Sequence, residues 1–358
     1  IMEKENLGDK STDNQIPAVD KKKTTNKNKL KIKQIILFIT IIFVIGMISL
    51  LGFSYSYLGR FAQAAGMKRG EVITQIKQGL RKPIESKSIS FLILGLDQRE
   101  NDNSLLTDTM LITTMNLQTG DYLLFSIPRD LYLSELQTKA NALYYYGVKQ
   151  NKDKPADLVE NKLEEILDTK LDHTIILTMN DIKDLIDFLG GVKVKVETGF
   201  VDTQFPKDDG SGEVMTIEFE KGTHVFDGER ALQYIRSRKS ENEQENTDLA
   251  RQERQKQILL ALKNKLLNSE SLALQPKKLG QLYQFINQRF NIQPELSLTK
   301  LANLSKTGLK LINGKQIEGQ LPWNPENENR ILIDTYEPVY NTWILVPKNN
   351  NWQLIKDY

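Results

Sequence analysis

Phe91-Leu92-Ile93-Leu94-Gly95-Leu96-Asp97-Gln98-Arg99 is the stretch that decides the fold. Six residues run without a polar side chain, then three polar ones follow. An unbroken run of this kind suits a strand covered on both faces, inside a sheet with helices on each side. Polar groups directly after such a strand stand where open α/β sheets bind ligands. A plain strand-end turn with solvated charges is the alternative for Asp97 and Arg99.

On the C-terminal side, Thr109 to Leu117 and Tyr122 to Ile127 read as two further strands. The turn Gln118-Thr119-Gly120-Asp121 joins them, so a hairpin is expected. Asp157 to Leu167 reads as an amphipathic helix and Thr174 to Met179 as a strand. Asp181 to Leu189 is helical and stops at Gly190-Gly191. Val192, Val194 and Val196 alternate with Lys193 and Lys195, the pattern of a half-exposed strand. Phe205 to Gly212 reads as a loop. Asp227 can cap a helix running through Ile235. Ser240 to Asn246 is a second polar loop, and Asp248 to Leu267 a long helix. Helical patterns return over Lys277 to Phe290 and, capped by Ser297, to Ser305. Trp343 to Val346 is strand-like. Strands and helices interleave, which predicts a single α/β domain with a mixed central β-sheet flanked by helices.

On the N-terminal side the composition shifts. Residues 1–33 hold nine lysines against five acids, a net +4, and the rest of the chain carries −2 within a total of +2. This arm lacks apolar periodicity and reads as disordered. Residues 34–55 then contain an apolar run, Ile35 to Phe53, with no charge in it. That is long enough for a membrane-spanning helix. The lysine excess before it predicts a cytoplasmic N-terminus and an extracytoplasmic bulk. A cleaved signal peptide, with Ala62-Gln63-Ala64 as its site, is the rival. The run is longer than an ordinary signal core and the site lies well past it. Residues 56–87 read as a stalk whose helical spacing ends at Pro83, and residues 88–358 as the folded domain.

The 358 residues include no cysteine and two histidines, His173 and His224. Disulfides, thiolate metal sites and cysteine nucleophiles are excluded. Positive charge sits on the arm and not on the folded part, which argues against nucleic acid as partner.

Four polar clusters stand beside the expected elements. Asp97 and Arg99 follow the first strand, and Asp108 precedes the second. If these strands are neighbours, the two carboxylates meet at one sheet edge, where a cation relieves their repulsion. Asp108 capping a turn is the equal alternative. Ile127-Pro128-Arg129-Asp130 brings Arg129 to the end of a strand, or leaves it in a surface pair with Asp130. The densest cluster joins Arg236, Arg238, Asp248, Arg251 and Arg254. Asp248, Arg251 and Arg254 recur every three residues near a helix start, where guanidinium forks and helix dipole both favour phosphate. One arginine would fit a solvated helix face; four fit it less well.

Taken in order, these segments resemble the LytR-CpsA-Psr family of bacterial cell-wall enzymes. The resemblance is carried by residues 94–99, Thr107-Asp108-Thr109-Met110, Ser126-Ile127-Pro128-Arg129-Asp130, Lys139-Ala140-Asn141-Ala142 and Leu189-Gly190-Gly191-Val192. It continues through residues 226–238, which end in Arg236-Ser237-Arg238, and through Asp248-Leu249-Ala250-Arg251-Gln252-Glu253-Arg254-Gln255. It covers roughly Ser88 to Leu267 and continues more weakly towards Trp343. The resemblance implies a membrane-anchored phosphotransferase whose donor is a polyprenyl pyrophosphate-linked glycan and whose acceptor is a cell-wall hydroxyl, on peptidoglycan in the usual case. It implies that Asp97 and Asp108 hold Mg²⁺, with Mn²⁺ an alternative. It further implies that Arg129, Arg238 and Arg251 grip the pyrophosphate, and that Arg99, Arg236, Asp248 and Arg254 complete or orient that shell. An apolar pocket would take the lipid. The stretch Lys239 to Thr247 is longer and more acidic than the family pattern. A pyrophosphatase using water as acceptor, and a non-catalytic lipid or glycan binder, would use the same residues.

Overall fold

The computed structural model describes residues 21–96, 105–207, 211–267, 272, 274–322, 328–338 and 341–358. Asp97 and Arg99 lie outside these residues, and the side chain of Asp248 is likewise not described.

A helix, α1, spans Lys21–Ala64. Within it Thr40–Ala64 is long and apolar enough to cross a membrane. Ile42, Phe43, Leu50 and Phe53 stand exposed, as a lipid-facing helix requires.

Leu58 to Tyr358 form one compact unit. The segment expected as a stalk supplies part of its packing. The helix α2 (Arg69–Arg81) contributes Val72 to a small core with Phe61, Ala62, Ala65 and Leu298. Gly79 makes this contact possible, because a Cβ there would lie 2.2 Å from the Thr299 carbonyl oxygen.

Strand β1 (Ser88–Leu96) is the centre of the fold. It pairs antiparallel with β2 (Thr107–Asn116), which turns into β3 (Tyr122–Ser126). Asn116 closes that turn, its side-chain oxygen accepting from the N–H groups of Gln118 and Thr119 at 2.8 and 3.1 Å. After a two-residue ladder, β4 (Tyr132–Leu133) with β5 (Thr138–Lys139), come helices α3 (Leu143–Gln150) and α4 (Asp157–Leu167). Strand β6 (His173–Thr178) then pairs parallel with β1. Two late strands, β11 (Asn291–Gln293) and β12 (Gln316–Gln320), complete a mixed sheet in the order β11-β6-β1-β2-β3-β12.

The period of two divides β1 between two cores, as expected of a strand buried on both faces. Leu92, Leu94 and Leu96 join Val159, Leu163 and Leu345 on one face. Ile93 faces the other core, built from α5 (Met179–Leu189), α6 (Gly228–Arg236), α7 (Asp248–Leu267) and the helix Pro276–Arg289. Local rules set the helix ends. Thr178 and Asp181 form a capping box at α5, and Gly190 (φ 76°) ends it. Asp227 caps α6, accepting from the Arg230 N–H at 2.8 Å.

Outside the main sheet, β7 (Val192–Val196) pairs with β10 (Gly222–Phe226), and β8 (Phe200–Pro206) with β9 (Val214–Phe219). The expected loop Phe205 to Gly212 therefore begins later: Phe205 and Pro206 continue β8. Phe205 pairs with Met215 and is buried, a cross-strand constraint that local composition does not carry. The last hairpin joins β13 (Leu332–Glu337) to β14 (Thr342–Pro347).

Candidate active site

Asp108 stands near the start of β2, beside the end of β1, since Leu96 pairs with Thr107. Its side chain is 9% exposed and meets three arginines. Arg129, delivered by the Pro128 exit from β3, donates from Nη1 to Oδ1 at 3.0 Å. Arg238 donates to Oδ2 at 2.6 Å, and Arg251 of α7 reaches the same oxygen at 3.4 Å. The structure thus brings together residues spread over more than 140 positions. Burial pushes the Asp108 carboxyl up, but Arg129, Arg251 and Arg238 outweigh it and hold the group below its ordinary value of 3.8. Asp108 is therefore ionised at neutral pH. Three guanidiniums gather at this carboxylate, and forked donors of this kind match phosphate oxygens.

A cavity of about 220 Å³ opens beside this cluster. Asp108, Arg236, Arg238 and Arg251 line its polar side, and Met179, Phe205, Val214 and Ile235 its apolar side. Arg236 lies over the Phe205 ring, 5.6 Å from its centre. Gln255 also lines the cavity, its carbonyl oxygen accepting from the Thr109 hydroxyl at 2.8 Å.

Arg254, expected to complete or orient the anion's shell, has its fork turned into the protein. It is 2% exposed, and its fork is directed at the polypeptide. Nε donates to the Tyr234 carbonyl at 2.9 Å and Nη2 to the Ser237 carbonyl at 2.8 Å. Nη1 donates to the Glu245 carbonyl and carboxylate at 2.9 and 2.7 Å. Arg254 therefore fixes the end of α6 and the loop that follows. It orients the site without reaching into it.

Asp202 of β8 holds the same segment, and its sequence context did not single it out. It is 1% exposed. Oδ2 accepts from the Ser237 hydroxyl at 2.7 Å and from the Arg238 and Lys239 N–H groups at 3.3 and 3.1 Å. Oδ1 accepts from the Gln204 N–H at 3.0 Å. A buried carboxylate is stable here because four donors satisfy it. An acid before a Thr-Gln pair in a β-rich stretch carries no signal of this role.

Behind Arg129 stands a polar chain. Arg129 Nε donates to Asp130 Oδ2 at 3.3 Å, and Lys139 Nζ to Asp130 Oδ1 at 2.7 Å. Lys139 also donates to the Thr342 hydroxyl at 3.0 Å. Both histidines are structural: His173 Nδ1 lies 2.7 Å from the Pro294 carbonyl, and His224 Nε2 lies 2.9 Å from that of Glu220.

The LytR_cpsA_psr family model matches residues 56–340. The polyisoprenyl-teichoic acid–peptidoglycan teichoic acid transferase TagT of Bacillus subtilis (strain 168) is 30% identical over 242 residues, 65% of this chain and 68% of that protein. The corresponding transferase TagU of the same organism is 27% identical over 303 residues, 82% of this chain and 90% of that protein. Among solved structures, TagT bound to LIIa-WTA superposes with a TM-score of 0.54 at 24% identity, over 78% of this chain and 92% of that one.

Proposed function

The chain belongs to the LytR_cpsA_psr family, and on that premise we propose that it transfers a glycopolymer phosphate from a polyprenyl pyrophosphate carrier to a cell-wall hydroxyl, on peptidoglycan. One observation carries this reading: Arg129, Arg238 and Arg251 converge on Asp108 at the mouth of a cavity with an apolar wall. A pyrophosphate diester joined to a hydrocarbon has both of the chemistries this arrangement asks for. The relatives named teichoic acid transferases support the same class of reaction.

In the proposed step the acceptor oxygen bonds to the polymer-side phosphorus. The bond from that phosphorus to the bridging oxygen breaks, polyprenyl phosphate leaves, and the acceptor proton is released. Such transfer depends on positioning and on neutralising spread negative charge. Arg238 and Arg251 take phosphate oxygens on the cavity side, and Arg129 takes them on the other. The cavity's apolar side receives the start of the lipid chain. A lipid-borne donor also fits a chain with a membrane-crossing helix, oriented with its arm in the cytoplasm and its domain outside.

Among the described residues no group of three or more His, Cys, Asp or Glu side chains could hold a metal ion, so the cation remains what the family resemblance implies. Asp108 offers carboxylate oxygens, and phosphate oxygens taking over its guanidinium partners would release them to a metal. Asp108, with Asp97, would hold Mg²⁺. Bound there, Mg²⁺ supplies further neutralisation of phosphoryl oxygens.

The test incubates the full chain in detergent with a polyprenyl pyrophosphate glycan, Mg²⁺ and a soluble peptidoglycan fragment, with products read by mass spectrometry. A glycan-phosphate–peptidoglycan adduct, lost in Arg129→Ala, is expected. Free glycan phosphate with no adduct would replace the transferase with a hydrolase. Lipid binding with no product would leave a binding protein.

A further inference from the structure

The segment Lys139-Ala140-Asn141-Ala142 is absent from the cavity wall, yet it ties together two parts of the anion cluster. The Asn141 N–H donates to the Arg129 carbonyl at 3.1 Å, and the Asn141 carbonyl accepts from the Thr107 hydroxyl at 3.1 Å. Thr107 is buried and directly precedes Asp108. The Ala140 N–H donates to the Leu131 carbonyl at 2.7 Å, and the Asp130 carbonyl accepts from the Leu345 N–H of β14 at 2.9 Å. Backbone bonds therefore fix where Arg129 and Asp130 start. They leave open how the Arg129 side chain divides itself between two carboxylates.

Those carboxylates are Asp108 and Asp130. Arg129 gives Nη1 to Asp108 at 3.0 Å and Nε to Asp130 at 3.3 Å. An arginine beside a carboxylate favours two parallel N–H···O bonds to both of its oxygens. Arg129 makes a single long bond to Asp130 instead, because Lys139 holds the other oxygen. Lys139 Nζ donates to Asp130 Oδ1 at 2.7 Å and to the Thr342 hydroxyl at 3.0 Å. Asp130 thus lies between two cations, close to the lysine and further from the arginine. Lys139 is 22% exposed and Asp130 29%, so water screens the pair only in part. A pair near the surface adds little stability. Its effect here is on the direction in which Arg129 points.

We infer that Lys139 is a positioning residue: its ammonium occupies Asp130, so that the Arg129 guanidinium stays on the Asp108 side, where pyrophosphate is bound. Without that charge, Arg129 is left as the cation beside Asp130. The guanidinium then turns to take both Asp130 oxygens and leaves Asp108. The inference rests on the pyrophosphate-binding role given to Arg129 in the transferase reading. A plain structural role, in which Lys139 ties β5 to β14 through Thr342, makes a different prediction. That role needs a hydrogen-bond donor at position 139 and not a charge.

The experiment uses the full chain in detergent. Binding of farnesyl pyrophosphate is measured by calorimetry, and transfer by the product assay above. Lys139→Met keeps the stem without the charge, Lys139→Gln keeps a donor for Thr342 without the charge, and Lys139→Arg keeps the charge. The first two are expected to weaken farnesyl pyrophosphate binding about tenfold. Donor kcat/KM should fall at least as far, with the acceptor KM unchanged, and Lys139→Arg should retain most of the wild-type affinity. The deciding variant is Lys139→Met combined with Asp130→Asn. It is expected to recover most of the loss, because the competing charge is gone while an amide oxygen still accepts from Arg129 Nε. If Lys139→Met does not fold, Lys139→Gln with and without Asp130→Asn carries the same test.

Wild-type affinity in Lys139→Gln would overturn the inference in favour of the Thr342 tie. No recovery in the double variant would overturn it as well, since Lys139 would then grip the phosphate itself or support the fold. Binding that follows the expected order without any transfer would keep the positioning role and remove the transferase reading. Transfer indifferent to Lys139 would do the opposite, and a wild type that binds no pyrophosphate would overturn both.

Discussion

Arg251 and Arg254 sit three residues apart on one helix, and each is 2% exposed. Their surroundings differ in kind. Arg251 faces a carboxylate and a cavity. Arg254 faces the carbonyls of Tyr234, Ser237 and Glu245. Three residues on an α-helix turn a side chain by most of a circle, so neighbours on one face still part company at their tips. Their two sides follow different logic. The Arg251 side gathers three guanidiniums on one carboxylate beside a cavity. On the Arg254 side charge meets its complement inside the protein, and the result is a rigid frame.

The largest effect should come from breaking the frame. Arg254→Ala leaves three backbone carbonyls and Glu245 without their donor. The expected loss of stability is about 3–5 kcal/mol, seen as a lower midpoint in thermal or denaturant unfolding of the full chain. An unchanged midpoint would erase the distinction between the two arginines. Arg251→Ala should do the reverse. Transfer is expected to slow about a hundredfold, roughly 2.7 kcal/mol, with a smaller change in midpoint than Arg254→Ala produces.

Asp202→Asn sharpens the contrast at the other buried group that holds this segment. The shape is kept, but an amide NH₂ must now face one of the N–H groups that Asp202 accepts from. The segment holding Arg238 loosens, and the donor KM should rise about tenfold, roughly 1.4 kcal/mol, while the protein stays folded. A donor KM equal to wild type would show that Arg254 alone fixes that segment. The smallest effect is in the acid range. The Asp108 pKa is depressed in the folded state, so its contribution to stability is present in full above its ordinary value of 3.8. It is lost as pH falls through the lower folded value. Melting curves from about pH 6 to about pH 3 should show a shallower acid slope in Asp108→Asn than in wild type. Equal slopes would mean that the guanidiniums do not hold that carboxylate.

Much of this was legible in the chain. The run Phe91 to Leu96 announced a doubly buried strand, and it is the centre of the sheet. The cap at Asp227, the stop at Gly190 and the long helix from Asp248 follow from residues within a few positions of each other. The arginines of the 236–254 region stood out by number and spacing. Their division of labour did not, because spacing on a helix gives a direction and not a partner. Asp202 was invisible for the same reason: its four donors arrive from its own strand and from a turn 35 residues later. The pairing that makes Phe205 a strand residue and the burial of Phe61 and Val72 in the expected stalk also depend on distant partners.

The sequence by itself determined the order of elements, the membrane-length apolar helix, the family and the set of charged residues that could meet. Local propensity, periodicity and caps act over a few residues, and these features need nothing more. Only the tertiary structure decided that Arg129, Arg238 and Arg251 share Asp108, and that Arg254 and Asp202 brace the segment between them. Those outcomes depend on which buried charges find complementary groups once the sheet and helices pack, and a buried charge is stabilised by whatever the fold brings beside it.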